Sequence, residues 1–366
     1  MSSGEARVFH RSCNFCGGTR FRVFHRVASP FPRQIYGDVE LSDPSVGDVL
    51  QLQYLECAGC ELVSVGPLPR FADVNRPRFD RERDLVAWVD LEYDFYERDK
   101  IATIEAVYET HKLERFRKRN RILDVSCGPG VSVDWLERKR GWEARGTDPD
   151  EHAARVARER YGIELETGLL EDLDLPEEHF DFVILDNSLE HTFDPLGTLL
   201  AVWRVLRPGG GLFIAVPNAE GVATREMDLN AHWGHWFLFT PRVLYRMLRR
   251  IGFRVTTLYA KQPMLHPDLE ARGLYSGDYE EALDVCLQGE ADTARIEDVP
   301  ALSDFFHVVA EKPETAGARP DGASALEAIA RASLRERESV ELLASSDAEG
   351  EAGDENEESG VARPVS

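Results

Sequence analysis

The 366-residue sequence predicts an α/β fold, a largely parallel sheet covered by helices on both faces, and two observations carry that expectation. From residue 121 to 312, short apolar runs alternate with amphipathic stretches, the pattern of strands joined by crossover helices. The first of those runs, "RILDVSC", passes directly into "GPG" and then "VSVDWLERKR", which reads as strand, glycine turn and helix N-terminus. A third observation sets residues 1–70 apart: they are turn-rich and hold four cysteines in two C-x-x-C pairs.

Taken in order, residues 1–70 are strand-like, with prolines at 30, 32, 44, 67 and 69. Cys13 and Cys16 lie in "CNFCGG", Cys57 and Cys60 in "ECAGCEL", and each pair sits in a glycine-containing turn. Two such knuckles supply four thiolates for a tetrahedral Zn²⁺, so a zinc-ribbon-like module with a structural ion is expected. All four positions are filled, leaving none for a reactive water. A segment this short also needs a staple to hold a core. Residues 71–120 form a charged helical connector, with Ile101, Ile104, Val107, Tyr108 and His111 at helical spacing.

Residues 121–312 make the main domain. Its expected strands are "RILDVSC", "WEARGTD", "IELETG", "FDFVILDNS", "GLFIAVPN", "FRVTTLYA" and "DFFHVVAEK". Its expected helices are "VSVDWLERKR", "EHAARVARERYG", "PLGTLLAVWRVL" and "PRVLYRMLRRIGF". Residues 313–366 form an acidic tail, with a short helix over 324–344 opened by the capping-box pair Ser324 and Glu327, and disorder beyond. Cys127 and Cys286 read as buried apolar residues.

Composition narrows the function. The net charge is −23, with 13 acids against five arginines in residues 313–366, while residues 1–120 are near neutral. That balance argues against nucleic acid or an anionic membrane as a partner. The single basic run, "RFRKRNR" at 115–121, reads as a solvated helix end. No apolar run approaches the roughly 20 residues that span a bilayer, and the opening "MSSGEARVFHRSC" lacks the apolar stretch of a signal peptide. A cytoplasmic location is the expectation.

The glycine turn asks for a ligand, and its neighbours narrow the choice. A dinucleotide fingerprint needs a third glycine where Val133 stands, and a phosphate loop needs a G-K-[ST] ending that is missing. Instead Asp124 precedes Gly128, and Asp148 ends the next strand in "RGTDPD", where it suits the two hydroxyls of a ribose. A carboxylate beside the turn would repel a pyrophosphate and attract a cation. The pattern asks for a nucleoside carrying positive charge.

At these residues the sequence resembles class I S-adenosylmethionine-dependent methyltransferases. "LDVSCGPG" looks like their first motif, "GTDPD" their second and "FDFVILDNSLEHTFDP" their fourth-strand motif. "VLRPGGGLFIAVPN" resembles the turn and fifth strand, and "HWFLFTPRVLYRMLRRIGF" the stretch that closes many small-molecule members. The resemblance implies a Rossmann-like seven-stranded sheet with S-adenosylmethionine as cofactor. It places Asp124 and the backbone of Ser126, Cys127, Gly128 and Gly130 on the methionine moiety, and Asp148 with Pro149 on the ribose. Leu169 and Leu170 would hold the adenine by apolar packing and backbone contacts, with Glu171 a further candidate, Leu169 standing where many relatives have an aspartate. Asn187 and Ser188 would face the methyl group and the acceptor. Ser126 replaces the first glycine of the family pattern.

Methyl transfer from a sulfonium is an in-line displacement, so a protein contributes alignment and, for a hydroxyl acceptor, a base. His191 in "SLEHTFDP" is the first candidate for that base. The alternative is that Glu190 and His191 cap or orient the loop. His235, in the cluster "NAHWGHWFLF" with His232, Trp233 and Trp236, is a candidate for the pocket wall, or else part of the core edge. Tyr93 and Tyr96 resemble tyrosines that close over the cofactor in relatives. A zinc module ahead of such a domain resembles deoxysugar C-methyltransferases and related tailoring enzymes on one side, and zinc-ribbon rRNA methyltransferases on the other. The near-neutral start and acidic remainder favour the first group. The expectation is methylation of a small hydroxylated acceptor (a sugar, a glycan end or a secondary metabolite), on oxygen in preference to carbon. The alternatives are a non-catalytic adaptor that keeps the fold, and RNA methylation. No partner for the tail can be named.

Overall fold

The computed structural model describes residues 10–26, 53–66, 97–98, 100–221, 235–261, 305–317, 320, 322–335 and 340–343. Its centre is a seven-stranded sheet in the order β10-β11-β8-β7-β4-β5-β6. The strands are β4 (Arg121–Val125), β5 (Glu143–Asp148), β6 (Glu166–Thr167), β7 (Phe180–Asp186), β8 (Leu206–Pro217), β10 (Arg254–Lys261) and β11 (Phe305–Glu311). β4 through β8 run parallel, and β11 lies antiparallel between β8 and β10. The order reverses at β4 and β7, and ligands of open α/β sheets bind outside the strand ends at such a switch point.

The helices follow from capping and periodicity. α1 covers 100–110, α2 is Val131–Arg140, α3 Glu151–Tyr161, α4 Pro195–Val205 and α5 Pro241–Ile251. Asp150, Asp194 and Thr240 each cap a helix by accepting a backbone N–H, from His152, Gly197 and Val243 respectively. Pro195 and Pro241 occupy the first helical turn, where the missing N–H costs nothing. Core packing lies on both faces: Ile104, Val107, Leu136 and Trp135 with Phe182 and Phe213 on one, and α4 and α5 with Leu185 and Ile214 on the other.

The end of the sheet away from the switch point is bolted by a buried ion pair. Asp181, 0% exposed, pairs with Arg207 and accepts N–H bonds from Lys118 (3.0 Å), Arg119 (2.6 Å) and Arg121 (3.3 Å). Burial works against its charge, but Arg207 and the three N–H groups hold its carboxyl below the ordinary range. The "RPGG" segment, expected as a turn before the strand, is drawn into β8 as a bulge: Arg207 to Gly210 stand opposite Asp181 alone.

A second sheet has the order β12-β1-β2-β3-β9 and joins distant segments. β1 (Arg20–Arg26), β2 (Gln53–Cys57) and β3 (Val63–Gly66) come from the cysteine module, β9 (Phe237–Leu238) from the main domain and β12 (Glu341–Leu342) from the tail. Asn14, inside the first knuckle and buried, accepts from Leu196 N (2.8 Å) and donates to Asp194 Oδ1 (2.7 Å) and Ser333 Oγ (2.7 Å). Arg246 and Arg250 on α5 donate to the carbonyls of Cys60 and Phe15, both at 2.7 Å.

These contacts redraw the division expected at residues 70 and 313. The cysteine module shares one core with α4 and α5, including Cys13, Phe15 and Leu62 beside Val243 and Leu196. The tail, expected to be largely disordered, contributes α6 (Ala323–Ser333), whose Leu326 and Ala330 enter that same core. The expected helix to 344 stops at Ser333, and β12 follows as an edge strand beside β1. Lys312, 0% exposed, donates to the Trp203 and Leu206 carbonyls at 2.9 Å each, closing the C-terminus of α4. No helix among the described residues is long and apolar enough to cross a membrane. Tyr93, Tyr96, His232, Trp233 and Cys286 lie outside the described residues.

Candidate active site

The loop after β4 is built by backbone conformation. Ser126, Gly128 and Gly130 all have positive φ (54°, 57° and 79°), which turns the chain sharply into α2. Glycine accepts this freely, whereas serine is strained by about 1–2 kcal/mol. The turn is packed tightly from below: a Cβ at Gly146 on β5 would stand 2.6 Å from the Cys127 sulfur. Cys127 is accordingly buried, as expected, and its sulfur packs beneath the loop against Gly146.

The two acids meet at this loop. Asp124 is 4% exposed, accepts from the Ser132 hydroxyl on α2, and burial pushes its carboxyl up to about 7. Asp148 accepts from Gly128 N (2.8 Å) through one oxygen and from Asp150 N (2.9 Å) through the other. It therefore ties the ends of β4 and β5 together. Pro149 is half-buried beside it.

The proposed adenine wall divides. Leu169 is half-buried, but Leu170 is 2% exposed and belongs to the core, so its side chain packs inward. Gly168 N donates to the Asp148 carbonyl at 3.1 Å, which places this turn against the strand end. Glu171 accepts from Thr198 Oγ1 at 3.1 Å, and burial raises its carboxyl to about 7.

Beyond β7 the chain turns through Asn187, exposed and with φ 50°, a conformation asparagine tolerates. Its Nδ2 donates to Asp186 Oδ1 at 3.0 Å, and Asp186 is paired through Oδ2 with Lys100 of α1 at 3.0 Å. Neither Asp186 nor Lys100 was signalled by the sequence. An acid ending an apolar run was a usable hint for the first; Lys100 had none. Ser188 is buried, and its hydroxyl has no hydrogen-bond partner among the described residues.

The short 3₁₀ turn Leu189–His191 follows. The rings of His191 and His235 meet edge to face, with centroids 4.7 Å apart, so the structure brings together two histidines separated by 44 positions. Glu190 completes the group: its carboxylate and the two imidazoles have atoms all within 4.8 Å of one another. Glu190 was read as a cap or loop-orienting residue, but among the described residues neither of its oxygens finds a hydrogen-bond partner. Burial raises its carboxyl to about 8.

His235 arrives there through the cysteine module. Val65 N on β3 donates to the Trp236 carbonyl (3.0 Å), Tyr54 Oη on β2 to the His235 carbonyl (3.1 Å), and Trp236 N to the Glu190 carbonyl (2.9 Å). In the module itself, Cys13 and Cys60 sulfurs lie 3.3 Å apart, those of Cys16 and Cys57 3.5 Å, and all four thiols are within 4.8 Å of one another. A tetrahedral ion with Zn–S bonds near 2.3 Å needs sulfurs about 3.8 Å apart, so the cluster fits zinc and is too open for disulfides. Gly17 and Glu61 follow the second cysteine of each pair with matching φ values of 77° and 67°, which makes the two knuckles alike.

Residues 98–258 match the family described as "Methyltransferase domain". A ubiquinone biosynthesis O-methyltransferase of Aeromonas salmonicida is 29% identical over 184 residues, 46% of this chain and 76% of that protein. A demethylmenaquinone methyltransferase of Listeria welshimeri is 34% identical over 136 residues, 34% of this chain and 56% of its own length. The chain thus spans from about half to three quarters of the curated relatives it matches. Among solved structures, an S-adenosylmethionine-dependent methyltransferase from Thermotoga maritima is 20% identical, with a TM-score of 0.42, over 61% of this chain and 97% of that one. Residues 98–258, which include the glycine turn after β4 and Asp148 at the end of β5, thus carry a methyltransferase domain.

Proposed function

We propose that the chain transfers the methyl group of S-adenosylmethionine to a hydroxyl of a small acceptor, such as a sugar, a glycan end or a secondary metabolite. The observation that carries this reading is the convergence of Asp124, Asp148 and the loop 126–130 at the strand ends of one sheet. Asp124 and the backbone at Ser126, Cys127, Gly128 and Gly130 would take the methionine moiety, and Asp148 with Pro149 the ribose. Leu169 and the backbone at Leu170 would take the adenine, while Asn187 and Ser188 line the path of the methyl group. Bound cation and buried carboxylate favour each other, which suits a sulfonium cofactor at Asp124.

Oxygen is preferred over carbon as the target for two reasons. One relative is named an O-methyltransferase. A hydroxyl acceptor also needs groups that handle its proton, and Glu190, His191 and His235 stand together beyond β7. Cys13, Cys16, Cys57 and Cys60 would hold a structural Zn²⁺ that keeps β3 as the template for His235. Calorimetry of the full chain with S-adenosylmethionine is the first test, followed by S-adenosylhomocysteine release over a panel of hydroxylated acceptors. Tight cofactor binding and acceptor-dependent release support the reading. No cofactor binding leaves an adaptor, and turnover only with RNA, falling steeply with salt, overturns the small-acceptor assignment.

A further inference from the structure

We propose that Glu190, His191 and His235 form a second metal site, distinct from the cysteine cluster, that binds a divalent transition-metal ion. Three observations converge on it. Glu190 is 1% exposed, and no donor among the described residues reaches either carboxylate oxygen. A buried carboxylate without a donor costs several kcal/mol unless a cation or proton satisfies it. Its ligand atoms and those of the two imidazoles already lie within 4.8 Å of one another. An ion with bonds of about 2.0–2.2 Å needs ligands roughly 3–4 Å apart, a gap that small ring rotations close.

The backbone around the three side chains is held in place by other groups. Trp236 N donates to the Glu190 carbonyl, Tyr54 Oη to the His235 carbonyl, and His191 N to the Ser188 carbonyl at 3.1 Å. All three use main-chain acceptors, so the backbone positions of Glu190, His191 and His235 are fixed by contacts outside the cluster. Lys100 on α1 is ion-paired with Asp186. Two imidazoles and one carboxylate select Zn²⁺, Mn²⁺, Co²⁺ or Fe²⁺ over Mg²⁺ or Ca²⁺. Three protein ligands also leave coordination positions open, the mark of a site that meets a substrate.

The consequence rests on the methyl-transfer reading. An acceptor hydroxyl on the open position loses its proton to water at neutral pH, because the cation stabilises the oxyanion. That oxygen attacks the methyl carbon; the O–C bond forms as the C–S bond breaks, and the electron pair stays on sulfur. The products are a methyl ether and S-adenosylhomocysteine. His191 then acts as a ligand, and the cation takes over the work of a base.

Mn²⁺ is the probe that separates this site from the cysteines, since it prefers nitrogen and oxygen to thiolate. Titrated into the full chain with its cysteine cluster zinc-loaded and followed by electron paramagnetic resonance, it should bind once per chain. Glu190→Gln and His191→Ala should each weaken that binding by at least about tenfold. His191→Ala, at a half-buried position, guards against a folding defect in the buried variant, and thermal unfolding of the metal-free proteins checks both. Absence of Mn²⁺ binding, or equal binding by the variants, overturns the inference. Mn²⁺ binding without cofactor binding supports it while removing the methyl-transfer reading.

Discussion

The two halves of the active cleft are built in opposite ways. The cofactor side, from Asp124 to Asp148, is made by 25 consecutive positions of one strand–turn–helix–strand unit. The proposed acceptor side is made by Glu190 and His191 from one loop, His235 from another, and Tyr54 and Val65 of the cysteine module behind it. Local chemistry fixes the first; a sheet drawn from three separated segments fixes the second. The cofactor side should therefore answer to point changes within it, and the acceptor side to changes in a module that touches no substrate.

The largest expected effect tests that contrast. Cys57→Ser removes a thiolate, and structural zinc sites contribute on the order of 10 kcal/mol to folding. Because the module shares a core with α4 and α5, the whole chain should lose stability in a single transition. Zinc analysis with calorimetric unfolding would reveal instead a separate, surviving main-domain transition if the module were an appendage. Asp181→Asn strikes the sheet far from both half-sites; leaving Arg207 buried without its partner should cost about 3–5 kcal/mol in urea unfolding, with cofactor affinity at saturation of folding unchanged.

Asp148→Ala should act on the cofactor side alone. It removes charge-assisted bonds worth about 1.5–3 kcal/mol each, so S-adenosylmethionine affinity should fall at least about tenfold, and the unpaired Gly128 N–H adds to the loss. Titration of Asp124 sharpens the same side. Its carboxyl is raised to about 7 by burial, and the cofactor favours the ionised form. Affinity should then rise about tenfold between pH 6 and pH 8 and level off above, with proton release on binding visible in buffers of different ionisation enthalpy. The sign for the unliganded fold is opposite. A carboxyl raised from 3.8 favours the folded state below its unfolded value, and that contribution is lost as the pH climbs through about 7. The smallest effect belongs to Ser126→Gly, which relieves a φ of 54° and should raise stability by at most about 1 kcal/mol in denaturant unfolding.

Much of the cofactor side was legible before any coordinates. The apolar run ending at Val125, the glycines at 128 and 130 and the acid at 148 encode a turn whose partners are sequence neighbours. Leu170 was less legible, because an apolar residue after a strand serves a pocket or a core equally well; its side chain joins the core, which leaves its backbone for the expected adenine contact. Glu190 was read as a cap because a carboxylate in a turn ordinarily finds a backbone N–H. Here the fold buries it, and among the described residues neither oxygen has a hydrogen-bond partner that meets ordinary geometry. The tail beyond Lys312 was expected to hold a short helix in a largely disordered acidic segment; in the structure Leu326 and Ala330 of that helix supply an apolar stripe that the cysteine module and α4 cover.

By itself the sequence determined the α/β class, the two cysteine knuckles and the glycine loop proposed to receive a charged nucleoside, since each depends on residues close together in the chain. Only the tertiary structure decided that the cysteine module templates His235, that the tail closes over that module, and that one glutamate and two histidines face one another. Such pairings depend on which edge strands find each other. Strand pairing across 170 or more positions leaves no periodic trace in the sequence, because its backbone hydrogen bonds are the same for every residue type.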